Sequence, residues 1–100
     1  MYGIEALGPF RIIALGQLAV DGTAAVAVPT TALAFRSRVH VRNAGAQTVY
    51  LGATNGVTNA NGFPLPSGEA VDLDVGPNVA LFARCAAGQS TTLGIYEGAR

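Results

Sequence analysis

The feature of this sequence that most restricts its fold is a series of short stretches in which apolar and polar residues alternate. Gly, Pro, Asn and Asp interrupt these stretches roughly every 8 to 12 residues, a spacing typical of all-β sandwiches and barrels. In RSRVHVR, for example, Val39 and Val41 point to one face, and the alternate residues Arg38, His40 and Arg42 point to the other. The candidate strands are residues 10–18, 23–28, 36–42, 48–53, 70–75, 79–85 and 92–97, and we expect the last two to pair across residues 86–89.

These strands predict an all-β chain, either a compact antiparallel sandwich or a jelly-roll-like barrel of about seven strands. No segment shows a sustained helical period with capping residues. A chain of 100 residues has room for one core, so residues 10–100 are expected to form a single β domain. Residues 1–9 form either an extended N-terminal arm or an edge strand packed on the same domain.

The composition predicts association. Charged residues make up 12% of the chain, about half the usual fraction, and half of the residues are hydrophobic. A chain of this size hides only about two-thirds of the surface that it exposes when unfolded. Because few charges are available to cover the remainder, we expect apolar surface to be buried against another copy or a larger assembly.

The charge balance argues against two classes of partner. Six basic residues, all of them Arg, balance six acidic ones, so the chain lacks the positive surface that nucleic acid requires. The apolar N-terminus is interrupted by Glu5, Pro9 and Arg11, which fits neither a signal peptide nor a membrane-spanning helix. We expect no nucleic-acid partner, no membrane partner and synthesis in the cytoplasm.

The residues that could act in catalysis or metal binding also have ordinary structural interpretations. His40 is the only histidine and has no visible catalytic partner, and Cys85 is a lone thiol on a predicted strand without an activating base. Asp72 and Asp74 could bind calcium or hydrolyse a glycoside, but their spacing is also typical of an exposed strand face. We therefore expect no enzyme activity, no metal, no cofactor and no small-molecule substrate.

Two charged stripes are expected to meet. Arg36, Arg38 and Arg42 form a positive stripe, and Asp72 and Asp74 form a negative one with the same period. If the two strands are neighbours, within the sheet or across a subunit boundary, the stripes pair and fix the register.

Residues 54–69, between two candidate strands, are expected to form a long loop rich in Gly and Asn. Asn55-Gly56 and Asn61-Gly62 are tight-turn dipeptides, and no nucleotide-binding motif is present. The sequence predicts a connection between strands that could carry Phe63 and Leu65 to a partner.

Several of these turn and strand signals occur in a fixed order between Val39 and Tyr96. They are N-A-G at 43–45, V-Y-L-G at 49–52, V-T at 57–58, G-F-P-L at 62–65 with Gly68, and A-L-F-A at 80–83 with Gly88. The series resembles small β-sandwich proteins encoded among bacteriophage virion genes, of the capsid decoration (cement) or head-fibre type. Residues 1–35 show no such resemblance.

The resemblance implies a structural virion protein without catalytic residues, most simply a decoration protein on the outside of a phage head. Its partners would be the major capsid protein and itself, with a homotrimer at a local threefold favoured. The alternative is a carbohydrate- or receptor-binding module of a tail or head fibre, with Tyr50, Phe63 and the Asn-rich loop as contact surface. A small hydrolase using Asp72, Asp74 and His40 is a third interpretation. The residues expected at interfaces are Ile4, Phe10, Arg36, Arg38, Arg42, Phe63, Leu65, Asp72 and Asp74.

Overall fold

The computed structural model describes residues 12–99, which form eight β-strands and, within that range, no helix. The expected arm (residues 1–9), Ile4 and Phe10 lie outside the described residues. The strands are β1 (Ile12–Asp21), β2 (Val26–Ala27), β3 (Arg36–Asn43), β4 (Val49–Gly52), β5 (Phe63–Leu65), β6 (Ala70–Leu73), β7 (Phe82–Cys85) and β8 (Ser90–Ala99).

The strands build two antiparallel sheets of four strands each. Sheet A has the order β1-β8-β3-β6, and sheet B has the order β2-β7-β4-β5. This interleaved order, in which the chain crosses repeatedly between the sheets, is that of a jelly roll. The prediction of an all-β sandwich is confirmed.

The sequence was misleading in two places. Phe63–Leu65, expected to lie in a loop, pairs with β4 as an additional strand. The predicted pairing of the last two strands is wrong, because β7 lies in sheet B and β8 in sheet A, between β1 and β3. A four-residue turn such as 86–89 can close a hairpin or carry the chain to the other sheet, and the local sequence does not distinguish the two.

The core lies between the sheets and follows the period of two. Val39 and Val41 of β3 are fully buried, as are Val49 of β4 and Leu93 of β8. Burial of each such side chain contributes about 1.5–3 kcal/mol. The remaining members of the cluster are Val20, Val28, Leu51, Leu65, Ala83, Cys85 and Ile95.

One end of the sandwich is held by a buried ion pair. Arg36 Nη1 lies 2.9 Å from Glu97 Oε2, and both side chains are buried. The other Arg36 nitrogens donate to the carbonyl oxygens of Gly76 and Val79, and Glu97 accepts from the backbone N–H of Leu33. The pair therefore ties β3 and β8 to both loops at this end, and its hydrogen bonds offset the cost of burying two charges.

This burial corrects the expected positive stripe. A β-bulge between Arg36 and Arg38 shifts the register against β8, and Phe35 adopts a φ of 60° just before it. Because a bulge inserts one extra residue, Arg36 turns towards the interior and Arg38 stays outside. Arg36 takes no part in the stripe, and its side chain is not available at the surface.

A buried asparagine organises the opposite end. The Asn43 side chain donates to the carbonyl oxygens of Gln47 and Leu65, and its Oδ1 accepts from Thr91 Oγ1 at 2.6 Å and from the Gly45 N–H. Its amide thus makes four hydrogen bonds, to the turn between β3 and β4, to β5 and to β8, as a buried polar group requires. The N-A-G segment is therefore a structural junction as well as a turn.

Candidate interaction surface

The outer face of sheet A brings the two charged stripes together within one chain. β3 pairs antiparallel with β6, so that His40 lies opposite Asp72. His40 Nδ1 is 2.7 Å from Asp72 Oδ1, and Arg38 Nε donates to Asp74 Oδ1 at 2.9 Å. All four side chains are partly exposed, so these contacts guide the strand register and add little stability.

The electrostatics of this face follow from those pairs. The hydrogen bond that Arg38 donates to Asp74, together with the charge of that carboxylate, raises the pKa of Arg38. The His40 ring packs edge-on against Tyr96, with ring centroids 6.5 Å apart. Arg42 is exposed and lies opposite Ala70 of β6.

The structure gives the chemical candidates no shared site. His40 and Asp72 lie on an open sheet face, whereas Cys85 is buried on the inner side of sheet B. Burial raises the pKa of the Cys85 thiol, with a further contribution from the charge of Asp21, and this lowers its reactivity. Among residues 12–99, no three His, Cys, Asp or Glu side chains cluster in a way that could hold a metal ion.

The opposite edge of sheet A is apolar. β1 is its outermost strand, and on its outer face Leu15 is 75% exposed and Ile13 39% exposed. The neighbour of Ile13 on β8 is Gly98, which has no side chain to cover it. From Ile12 to Val20 the strand carries no charge and no proline.

A groove of about 350 Å³ runs beneath this edge. Its walls are β1 and β8 on one side and the segment from Pro29 to Thr31 on the other. The inward Gly16 is exposed and faces open space, because β2 of sheet B has only two residues and does not extend beneath it. Among residues 12–99, no strand pairs with the outer edge of β1, and the side chains of Ile13 and Leu15 and the backbone of Gly16 are exposed.

The other three sheet edges are protected. β2 has two residues, β5 has three and includes Pro64, and β6 has four and includes Asp72. Short strands, proline and charge are the usual means by which proteins prevent edge-to-edge pairing. Among the described strands, β1 is the one edge that has none of these protections.

The Gly- and Asn-rich loop is held by packing and hydrogen bonds among its own residues. Val57 is buried, and a Cβ added at Gly52 or Gly62 would meet its side chain at 2.8 or 2.7 Å. Asn61 accepts a hydrogen bond from the Thr58 N–H at 2.8 Å. The two glycines are therefore needed for close packing around Val57, and the Asn61 amide is used inside the loop.

The two loop residues that were expected to contact a partner differ in their exposure to solvent. Phe63 is 60% exposed and is available to a partner, whereas Leu65 is 2% exposed and belongs to the core. The expectation that Leu65 contacts a partner is therefore wrong. The strand alternation of β5 explains this, since Leu65 lies opposite the inward Val49 of β4.

Sequence reasoning did not single out two further features. Glu97, the partner of Arg36, looked like an ordinary strand residue because nothing local marks a charge that will be buried. The exposure of β1 had a signal, namely nine uncharged residues flanked by Arg11 and Asp21.

No helix among the described residues is long and apolar enough to cross a membrane. No protein-family model matches the chain, and a search of curated proteins likewise found no match.

Proposed function

We propose that this chain is a structural virion protein, a capsid decoration protein that binds the outside of a phage head at subunit junctions. The observation that supports this most is a jelly roll tied at both ends by buried polar networks, with one long edge, β1, that no other described strand covers. Viral capsid domains use this architecture, but so do lectins and cupins. The proposal therefore depends on the surface and on the sequence resemblance, not on the fold alone.

The proposed role is non-enzymatic and needs no cofactor. A loop held by its own hydrogen bonds and a paired buried charge suit a protein that must resist unfolding while it holds a shell together. The exposed faces suit contact with the major capsid protein and with other copies, and the resemblance favours a trimer. The protein would be found on the capsid surface after synthesis in the host cytoplasm.

Co-sedimentation tests this role. Expanded heads that lack their own decoration protein, prepared from the phage whose genome carries the gene, are mixed with the purified chain and pelleted. We expect saturable binding to expanded heads and an increase in their thermal stability. Binding that does not saturate, or equal recovery without heads, would contradict the proposal.

The alternative is a carbohydrate- or receptor-binding module. The exposed ring of Phe63 supports it, because exposed aromatic rings are common contact surfaces. Against it, the Asn61 amide is engaged within the loop. Three results together would favour this alternative: the chain binds a glycan array, Phe63→Ala abolishes that binding, and the unmodified chain does not bind heads.

A further inference from the structure

We propose that the outer face of β8 carries a binding site for an acidic saccharide, whose carboxylate pairs with Arg42 and whose hydroxyl groups face a polar cleft beside Thr92. This inference goes beyond the proposed function and does not depend on it. The site lies on sheet A, at the end of the sandwich that Asn43 organises, whereas Phe63 lies on sheet B.

The first support is an open cleft of about 400 Å³ on this face. Its floor is formed by outward residues at the start of β8 and the end of β1, in the pairs Thr92 with Ala19 and Ser90 with Asp21. The turn at residues 45–46 lines its other side. The volume falls within the range of about 300–1,000 Å³ that small-molecule sites occupy.

The polar groups of this cleft are available to a ligand. Neither Ser90 nor Thr92 uses its side-chain hydroxyl in a hydrogen bond with a described residue. Asp21 Oδ1 accepts from the Thr23 N–H, and Oδ2 has no partner among the described residues. Hydroxyl groups and a carboxylate suit the hydroxyl groups of a sugar, since each of these both donates and accepts hydrogen bonds.

The second support is the state of Arg42. Of the four arginines within residues 12–99, Arg36 and Arg38 bind carboxylates, and Arg84 donates to backbone carbonyl groups. Arg42 is exposed and donates to none of the described residues. A guanidinium binds a carboxylate through two parallel hydrogen bonds. One such group suits a single sugar carboxylate, whereas a nucleic-acid backbone requires several positive charges.

The third support is Gly94, which separates Arg42 from the opposite wall of the site. Gly94 is the next outward residue of β8 after Thr92, and it pairs with Arg42 on one side and with Gln17 on the other. The Cα atoms of Arg42 and Gln17 are therefore about 10 Å apart, two strand spacings. We call the space between them the Gly94 gap.

Nothing in the described fold requires a glycine at this position. A Cβ there would meet nothing within 4 Å, the φ of Gly94 is not positive, and both strand pairings run through it without a bulge. Glycine weakens the interior of a strand and often marks the close approach of a ligand. Since packing and backbone conformation do not explain it, Gly94 points to a molecule that approaches β8 from outside.

Tyr96 bounds the far end of the Gly94 gap. It is the next outward residue of β8, and its ring makes an edge contact with His40. Its neighbour on β1 is the exposed Leu15. A sugar in the gap would thus meet polar groups at the cleft and aromatic and apolar surface at the other end, which suits a ring that has both hydroxyl groups and C–H faces.

An array of immobilised saccharides tests the ligand class. Oligosaccharides of galacturonic, mannuronic and sialic acid are each placed beside their methyl esters, and the full-length chain is applied at low salt. We expect at least one acid to bind about tenfold or more tightly than its ester, because the ester cannot accept a charged hydrogen bond from Arg42. Arg42→Gln should bind that acid and its ester equally.

The array has two outcomes that overturn the inference. In one, no acid binds better than its own ester. In the other, Arg42→Gln keeps the preference for the acid, which would place the carboxylate elsewhere on the protein.

Gly94→Val tests the position of the ligand. The new side chain enters open space and suits a strand, so we expect the thermal stability to be unchanged or higher and the binding of the acid to be lost. Gly16→Val is the matched control: a Cβ there also meets nothing within 4 Å, but Gly16 belongs to the inner face of β1, and this variant should bind like the wild type.

A further variant keeps the test independent of Gly94. Thr92→Val removes a hydroxyl from the floor of the cleft at nearly constant volume, and we expect it to weaken the binding of the acid and of its ester alike. A folded Gly94→Val that binds the acid like the wild type overturns the inference. Binding that is lost in Phe63→Ala and kept in Arg42→Gln also overturns it, and assigns the saccharide to the Gly- and Asn-rich loop.

Discussion

The two edges of sheet A differ in length, charge and exposure. β6 has four residues, and its outward carboxylate of Asp72, with the neighbouring Asp74, is engaged by His40 and Arg38. β1 has ten residues without a charge from Ile12 to Val20, and its outer face carries Leu15. One edge thus carries the features by which proteins prevent edge-to-edge pairing, and the other edge carries none of them between residues 12 and 20. Protection against pairing is therefore unequal between the two edges of the described sheet.

The largest effect on stability is expected at the buried ion pair between β3 and β8, because the two edge strands of sheet A pair with these strands. Glu97→Gln leaves Arg36 as a buried charge without its partner, and we expect a loss of about 3–5 kcal/mol in the free energy of unfolding. Urea denaturation measures it. A loss below about 1 kcal/mol would show that the pair does not hold the two strands together.

A charge on the open edge should give it the character of the protected one. Leu15→Asp removes an apolar side chain that is 75% exposed and places a carboxylate on the uncharged edge. We expect self-association through this edge to weaken, because a charge on an edge strand opposes edge-to-edge pairing, and the free energy of unfolding of the isolated chain to change by less than about 0.5 kcal/mol. Sedimentation equilibrium and urea denaturation measure the two quantities. Gln17→Asp, its neighbour on the same face, is the control for charge alone.

Removal of the charge from the protected edge should have the reverse effect. In Asp72→Val with Asp74→Val, β6 becomes an uncharged edge with apolar side chains on both faces. We expect new, concentration-dependent oligomers that the wild type does not form, visible by light scattering. If the double variant has the same size as the wild type at all concentrations, the shortness of β6 is sufficient protection.

The smallest effect is expected at the bulge that separates Arg36 from Arg38. The Ser37 hydroxyl is buried there without a hydrogen-bond partner among the described residues. Ser37→Ala removes a polar group that gains nothing from burial, so we expect the stability to rise by about 0–1 kcal/mol. Thermal denaturation measures the change. A destabilisation of more than about 1 kcal/mol would mean that the hydroxyl has a partner after all.

Patterns within single strands predicted much of this fold. The alternation in RSRVHVR correctly assigned Val39 and Val41 to the core. The matching stripes indicated that the two strands could meet within the sheet or across a subunit boundary, and the structure shows the first of these, with β3 beside β6. These predictions succeeded because each depends on side-chain period and on charge, which are local properties. The pairing of β8 with β1 and β3 depends on how the chain crosses between sheets, and no residue in the turn at 86–89 encodes that choice.

The burial of Arg36 shows, at a single residue, the same limit of prediction from local sequence patterns. Its spacing from Arg38 predicts a shared face, and only the bulge and the distant Glu97 turn it inward. Leu65 is similar, since its burial depends on a strand pairing with β4 that the Gly- and Asn-rich surroundings concealed. The period of two within a strand therefore does not predict the direction of a side chain that tertiary contacts determine.

The central position of β8 has a consequence for the order in which the chain can fold. β8 is the last strand of the sandwich to be synthesised, yet it lies between β1 and β3 and pairs with both. Until it emerges from the ribosome, sheet A has a gap at its centre, and β1 lacks the one described strand with which it pairs. Contacts between residues so distant along the chain form slowly, which leaves an apolar strand exposed in the nascent protein. The uncharged strand at the edge of the finished sheet is therefore also a strand that a newly made chain must keep from pairing too early.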